Sequence, residues 1–256
     1  DGQDVPLDGI ESDLMLLYEA CLEKKGVRMN TTSFYMRILR AVYNRAVEKG
    51  LTEQRYPFRH VYTGVEKTVK RAVSVKVIKK LKELDLSMKP SLDFARDMFL
   101  FSFYTRGMSF VDMAYLRKID LQNGILTYRR RKTGQQLTIK WEKCMEKIIC
   151  KYPSNKTDYL LPIIKVQDNE RKQYDNALHL VNYRLKDLSK ILKLQRTLTL
   201  YVARHSGASA AKAKNIPLSV ISEGMGHESE KTTQIYLASL ETSVVDKANK
   251  VILESL

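Results

Sequence analysis

Only three cysteines occur in the 256 residues, Cys21, Cys144 and Cys150. They form no even disulfide set and no CxxC metal spacing, which excludes a disulfide-built scaffold and leaves reduced, cytoplasmic thiols as the expectation. No apolar run approaches the roughly 20 residues that a membrane span requires, so no membrane partner is expected. The start, DGQDVPLDGIESD, is acidic where a signal peptide would be basic and then apolar. Internal repeats, low-complexity tracts, an HExxH pair and an acidic metal cluster are all missing. Negative charge is the scarcer sign: 29 Asp+Glu stand against 44 Lys+Arg, for a formal net charge of +15.

A basic excess of that size draws a protein to a polyanion, because bound cations displace the counterions condensed on phosphates. Nucleic acid is therefore the first partner to consider. The length suits one large or two small domains. The chain opens without Met, as a fragment would.

Hydrophobic periodicity divides the chain into two blocks. In the first, Leu14, Leu17, Tyr18, Cys21 and Leu22 recur at helical spacing and stop at Gly26. A second helix is expected to start near Thr31-Thr32-Ser33, with Phe34, Ile38, Leu39, Val42 and Ala46 on one face and a left-handed cap at Gly50-Leu51. Tyr56-Pro57-Phe58 and Gly64 break the pattern. This predicts a helical domain over 1–66, a basic linker over 67–73 and a second domain over 74–256. Seven basic residues fall between Lys67 and Lys82. Such a run is either a solvated face or, at a domain junction, part of a clamp on a duplex; Lys67, Lys70, Arg71 and Lys76 are the candidate DNA contacts.

In the second block Ser74 and Ser91 are expected N-caps, the latter for a helix carrying Phe94, Met98, Phe99 and Phe101 as core. Ser109 is the expected cap of a short helix through Leu116. The strand signal is Ile125-Leu126-Thr127-Tyr128 and Leu137-Thr138-Ile139, flanking Arg129-Arg130-Arg131-Lys132-Thr133-Gly134, with Asn123-Gly124 turning into the first. That is a hairpin with a basic tip. Helices near Trp141–Lys151, Asp175–Leu194, Thr199–Lys214, Leu218–Glu223 and Lys231–Leu240 follow. Val244, Val245, Ala248, Val251 and Ile252 form a final apolar stripe that suits packing on a catalytic domain, in cis or on a neighbour. The expected class is mainly α (α+β), with one small antiparallel sheet.

The stretch Gly224 to Ala238 sets His227 nine residues before Tyr236 and follows Tyr201-Val202-Ala203-Arg204-His205 on a helical pattern. Exchanging a phosphodiester without a metal needs a nucleophile, cations around the non-bridging oxygens and an acid for the leaving 5′-oxygen. Tyr236 offers the nucleophile, and Arg204 and His227 the phosphate contacts. Tyr201, three residues before Arg204, shares its helix face. Lys132 at the hairpin tip can serve as the acid.

In this order the residues resemble the tyrosine recombinase, or phage integrase, family over nearly the whole chain. FSFYTRGMSFVDMAYL, ARHSGASAAKAK and ISEGMGHESEKTTQIYL look like integrases of Bacteroides-type conjugative and mobilisable elements. The resemblance implies a helical, SAM-like core-binding domain followed by a catalytic domain. It also implies attack by Tyr236, a 3′-phosphotyrosyl intermediate, religation through a Holliday junction, and no nucleotide cofactor or metal. The implied partners are double-stranded DNA attachment sites, a homotetramer in the synaptic complex from a monomer when free, and DNA-bending accessory proteins; the implied location is the nucleoid. An arm-binding domain upstream of the acidic start is a further implication.

The chain departs from the family pattern at several places. Tyr201 stands where most of the family has His, and a phenol is a poor base near neutral pH. Gly207 and Ser209 replace a bulky residue and Thr. The first catalytic arginine, aligned on Gly107 and Asp112, falls on Ser109; Arg106, three residues earlier, is the first choice for its role, and Arg130 in the hairpin, otherwise a DNA contact, is the second. A catalytically inactive DNA-binding regulator of the same fold and a type IB topoisomerase are the alternatives.

Overall fold

The computed structural model describes residues 4–66, 72–153, 156–227 and 229–237, with residues 235 and 236 described by their backbone. Lys67, Lys70, Arg71 and the Ser243 to Leu256 stripe lie outside the described residues. The chain divides into two compact units, Asp1–Val69 and Lys70–Leu256.

In the first unit, helices α1 (Ser12–Lys24) and α2 (Met29–Glu48) pack on each other. Gly50 adopts φ +68° after α2, with Leu51 N–H donating to the Ala46 carbonyl at 3.0 Å, the left-handed cap that the sequence predicts. The buried faces, however, differ from the expected ones. Met15, Leu22, Met36, Tyr43, Phe58 and Val61 make the core, whereas Leu17, Phe34, Ile38, Leu39 and Val42 are exposed. Helix α2 carries apolar residues on two faces, and the loop after it chooses between them. Phe58 folds back edge-on against Tyr43, centroids 6.1 Å apart, and the Tyr43 hydroxyl donates to the Glu53 carbonyl at 2.7 Å. Helix α2 also begins at Met29, before the Thr31-Thr32-Ser33 cluster; Thr32 and Ser33 are buried inside it, and Ser33 Oγ donates to the Gly64 carbonyl at 2.6 Å.

The second unit is built around α4 (Pro90–Tyr104), which packs against α3 (Val75–Glu83), α6 (Lys143–Lys151), α7 (Glu170–Ile191) and α8 (Leu200–Ala213). Met98, Phe99 and Phe101 are fully buried in it, as expected of that aromatic stripe. Ser91 is not its cap. Pro90 opens the helix after Lys89, and Ser91 Oγ accepts from Arg184 Nε at 2.9 Å, joining α4 to α7. Asp97, also buried, accepts from Arg96 Nε at 3.0 Å, Lys151 Nζ at 2.7 Å and the Tyr152 hydroxyl at 2.8 Å. These partners offset the desolvation of the carboxylate.

Strands β1 (Leu121–Gln122), β2 (Ile125–Arg129) and β3 (Gln136–Lys140) form one antiparallel sheet in that order. Asn123 and Gly124, at φ +50° and +72°, make the tight turn between β1 and β2. Leu126 faces Ile139 and Tyr128 faces Leu137; these four side chains point inward and carry the hairpin on the core. Short helix α5 (Phe110–Ala114) is capped by Ser109, whose Oγ accepts from Asp112 N–H at 3.3 Å. Thr199 caps α8 in the same way through Val202 N–H. Helix α7 starts five residues before the expected Asp175, after a left-handed Asn169. Helices α9 (Leu218–Met225) and α10 (Glu230–Tyr236) close the described chain.

Candidate active site

The site is organised by the C-terminal end of α9. Gly226 ends that helix at φ +64°, so the carbonyls of Met225 and Gly226 point away from the helix without intrahelical donors. Arg204, from α8 and only 7% exposed, donates from Nη2 to the Met225 carbonyl at 2.8 Å and from Nη1 to the Gly107 carbonyl at 2.7 Å. Arg130, from the hairpin and 8% exposed, donates from Nη1 to the Gly226 carbonyl. Two guanidinium groups from distant parts of the sequence thus hang on adjacent carbonyls.

Glycine is required at both contacts. A Cβ on Gly226 would lie 2.8 Å from Arg130 Cδ, and one on Gly107, at φ +82°, 2.7 Å from Arg204 Cγ and 2.8 Å from its Cα. The loop after α4 can approach α8 so closely because it has no side chain there.

His227 follows Gly226 directly. Its Nε2 meets Arg204 Nη2 at 2.9 Å and its Nδ1 meets Thr233 Oγ1 at 2.7 Å. Burial first, and then the charges of Arg204, Arg130 and Lys132, lower its pKa from 6.5 to about 4. The imidazole is neutral at physiological pH. Thr233 is fully buried and sits on α10, three residues before Tyr236, whose backbone ends that helix.

The remaining candidates are more open. Lys132 is exposed in the loop that joins β2 to β3. Arg106 is exposed, adopts φ +60°, and makes one long hydrogen bond at 3.4 Å to the Thr138 carbonyl of β3, its Cδ beside Gly224. A left-handed arginine is uncommon and mildly strained, so the packing around it holds it there. Tyr201 is half-exposed and its ring meets buried His205 edge-on, centroids 4.4 Å apart. Ser109 donates to Asp112 Oδ2 at 2.6 Å, and Asp112 Oδ1 accepts from the Arg131 backbone N–H at 2.8 Å. One carboxylate therefore joins the α5 cap to the root of the basic loop.

Arg204, Arg130 and His227 are brought together, with exposed Lys132 near enough to bear on the His227 charge; Arg106 lies at the edge beside β3, and Lys76 is exposed on α3. Burial pushes the Tyr128 phenol up, with Asp112 adding to the shift and Arg204, Arg130 and Arg106 opposing it, so this strand tyrosine lies under the cationic cluster. Thr233 and Tyr128 carry no chemical signature in sequence beyond a helix polar and a strand apolar position. Among the described residues no group of three or more His, Cys, Asp or Glu could hold a metal ion.

Residues 67–242 match the model of the phage integrase family, and residues 1–63 match the phage integrase SAM-like domain. The chain belongs to the phage integrase family. It is a DNA strand-exchange tyrosine recombinase with a SAM-like helical domain and a mixed catalytic domain. Tyrosine recombinase XerA of Pyrococcus furiosus is 26% identical over 246 residues, which span 94% of this chain and 81% of that protein. Among solved structures, the Tn1549 transposon integrase in complex with a circular intermediate DNA superposes with a TM-score of 0.71 at 14% identity, covering 99% of this chain and 88% of that one. A lambda integrase dimer bound to a COC′ core site gives a TM-score of 0.69 at 13% identity, covering 92% and 82%. At those identities the likeness is one of fold.

Proposed function

We propose that this recombinase cuts and rejoins DNA at attachment sites with Tyr236 as nucleophile, in the integration or excision of a mobile element. The observation that carries the reading is the pair of buried guanidiniums, Arg204 and Arg130, fixed on neighbouring carbonyls beside neutral His227. Preorganised cations of this kind stabilise the charge that builds on a phosphate in the transition state without reorganising at that moment. The phenol oxygen of Tyr236 bonds to phosphorus and gives its proton to water; the 5′-oxygen leaves and takes a proton from Lys132. The phosphotyrosine keeps the bond energy, so rejoining to a new 5′-hydroxyl reverses both steps and uses no nucleotide cofactor. Arg130 takes the role of the first catalytic arginine, because its guanidinium is buried among the others, and Arg106 contributes from the edge. Tyr201 supplies a phosphate hydrogen bond.

Double-stranded DNA is the substrate, and the basic residues Lys67, Lys70, Arg71 and Lys76 contact its backbone. Domains over 1–66 and 74–256, joined by the 67–73 linker, act together on it. Strand exchange between two duplexes calls for a homotetramer assembled from monomers, with DNA-bending accessory proteins where the sites need bringing together. The solved lambda integrase tetramer on a Holliday junction, TM-score 0.69, supports that assembly. In the cell the protein works in the cytoplasm on the nucleoid.

The test is a nicked attachment-site substrate that traps the covalent adduct, read on a denaturing gel. Wild-type protein forms the adduct; Tyr236→Phe forms none and binds DNA with unchanged affinity. Undiminished adduct in Tyr236→Phe would assign the nucleophile to another residue.

A further inference from the structure

We infer that Tyr115 is a positioning residue: its ring holds the Arg131 side chain, so that the loop enters Lys132 in one direction and carries the ammonium toward the departing 5′-oxygen. The inference rests on the reading of Lys132 as the acid in DNA cleavage.

The residue before Lys132 is gripped twice from α5. The Arg131 backbone N–H donates to Asp112 Oδ1 at 2.8 Å, and its guanidinium carbon lies 4.0 Å from the centroid of the Tyr115 ring. Asp112 lies in α5 and Tyr115 is its C-cap, three positions on, so one face of this short helix offers both contacts. A hydrogen bond to the amide fixes one point and leaves the residue free to turn about it. The stack supplies a second point and removes that turn. A planar guanidinium suits the face of a ring, whose quadrupole attracts the charge. Arg131 is exposed, so the attraction is modest and its effect is on direction.

The ring is itself fixed. Tyr159 meets it edge-on with centroids 5.7 Å apart, and Tyr174 of α7 packs against it at 6.2 Å, tilted by 39°. Tyr159 is held beside it on both sides: the Leu160 N–H donates to the Leu116 carbonyl at 2.7 Å, and the Tyr159 hydroxyl donates to Glu170 Oε2 at 2.8 Å. Beyond Arg131 the loop is short and closed. Arg130 N–H donates to the Gln135 carbonyl at 2.9 Å and Gly134 N–H to the Arg130 carbonyl at 2.8 Å, so Lys132 sits inside one turn and a change of direction at residue 131 is passed to it.

The test compares two substrates in single-turnover adduct formation by the full chain, one ordinary and one with sulfur in place of the 5′-oxygen, whose departure needs no acid. Tyr115→Leu should slow cleavage of the ordinary substrate about fivefold, the upper end for a cation over a ring at an exposed site. On the sulfur substrate it should stay within about twofold of wild type. Tyr115→Phe keeps the ring and should match wild type within about twofold on both. Arg131→Ala removes the same stack from an exposed position and should show the same substrate-dependent loss, with no further loss when Tyr115→Leu is added. A wild-type rate for Tyr115→Leu or Arg131→Ala on the ordinary substrate overturns the inference. So does a loss that persists on the sulfur substrate, which would make the ring merely structural, or a double variant slower than either single one. Absence of adduct from wild-type protein on both substrates would sink the proposed reaction and the positioning role with it.

Discussion

The two halves of the candidate active site are built differently. Arg204, Arg130 and His227 are locked to the end of α9 by carbonyls and by one another, whereas Lys132 stands exposed in its loop and Arg106 touches β3 through a single long hydrogen bond. The difference separates two tasks. Binding the charge of a transition state rewards groups that are already in place, since any rearrangement is subtracted from the stabilisation. Passing a proton to a departing oxygen rewards a group that can follow it.

The contrast can be broken most severely at Arg204. Arg204→Ala should slow single-turnover cleavage about a thousandfold, the upper range for losing a preorganised donor, and should leave the Gly107 and Met225 carbonyls without that partner. A loss below tenfold would remove it from the fixed half. Next come Arg130→Ala and Lys132→Ala, each expected to cost about a hundredfold, and they are told apart by the leaving group. A substrate with sulfur in place of the 5′-oxygen needs no acid, so it should restore Lys132→Ala and leave Arg130→Ala slow. Arg106→Ala, at the edge, should lose about tenfold or less; if Arg106→Ala proves the slower of the two arginine variants, the first-arginine role passes to Arg106.

A smaller effect concerns pH. His227 titrates normally at 6.5 and in the fold at about 4, so the fold disfavours its charged form. Its contribution to stability is therefore complete above pH 6.5 and is lost as pH falls through 4. Melting curves of wild type and His227→Gln should diverge over that window, and wild-type cleavage should show no limb from His227 between pH 5 and 8. Parallel melting curves would mean that the imidazole is less shielded than its contacts imply. The smallest effect is on binding: Lys76→Glu should lower the salt slope of log K by roughly 0.9 per lost phosphate contact, measured by titration at several salt concentrations. An unchanged slope would make this lysine part of a solvated face.

How much of this was legible in the sequence depended on how local each cause is. The hairpin declared itself because alternation and Asn123-Gly124 act over a few residues, and Ser109 was legible as a cap for the same reason. Arg204 and His227, named from their chemistry and spacing, meet beside the end of α9. The buried face of α2 was misjudged: both faces are apolar, and the choice is made by Phe58, which lies beyond the end of the helix. Ser91 has a cap's chemistry, yet Arg184, ninety-three positions later, engages it. Thr233 was invisible as a neighbour of the site because its partner is an imidazole six positions away across a turn, and no periodicity encodes that.

One carboxylate decides how the exposed half can move. Asp112 takes the Ser109 hydroxyl on one oxygen and the Arg131 amide on the other, which pins the basic loop at its root, one residue before Lys132. The loop is thereby a lever with a fixed pivot. The Lys132 ammonium therefore swings from a tethered base, and its reach is set by the length of its own side chain.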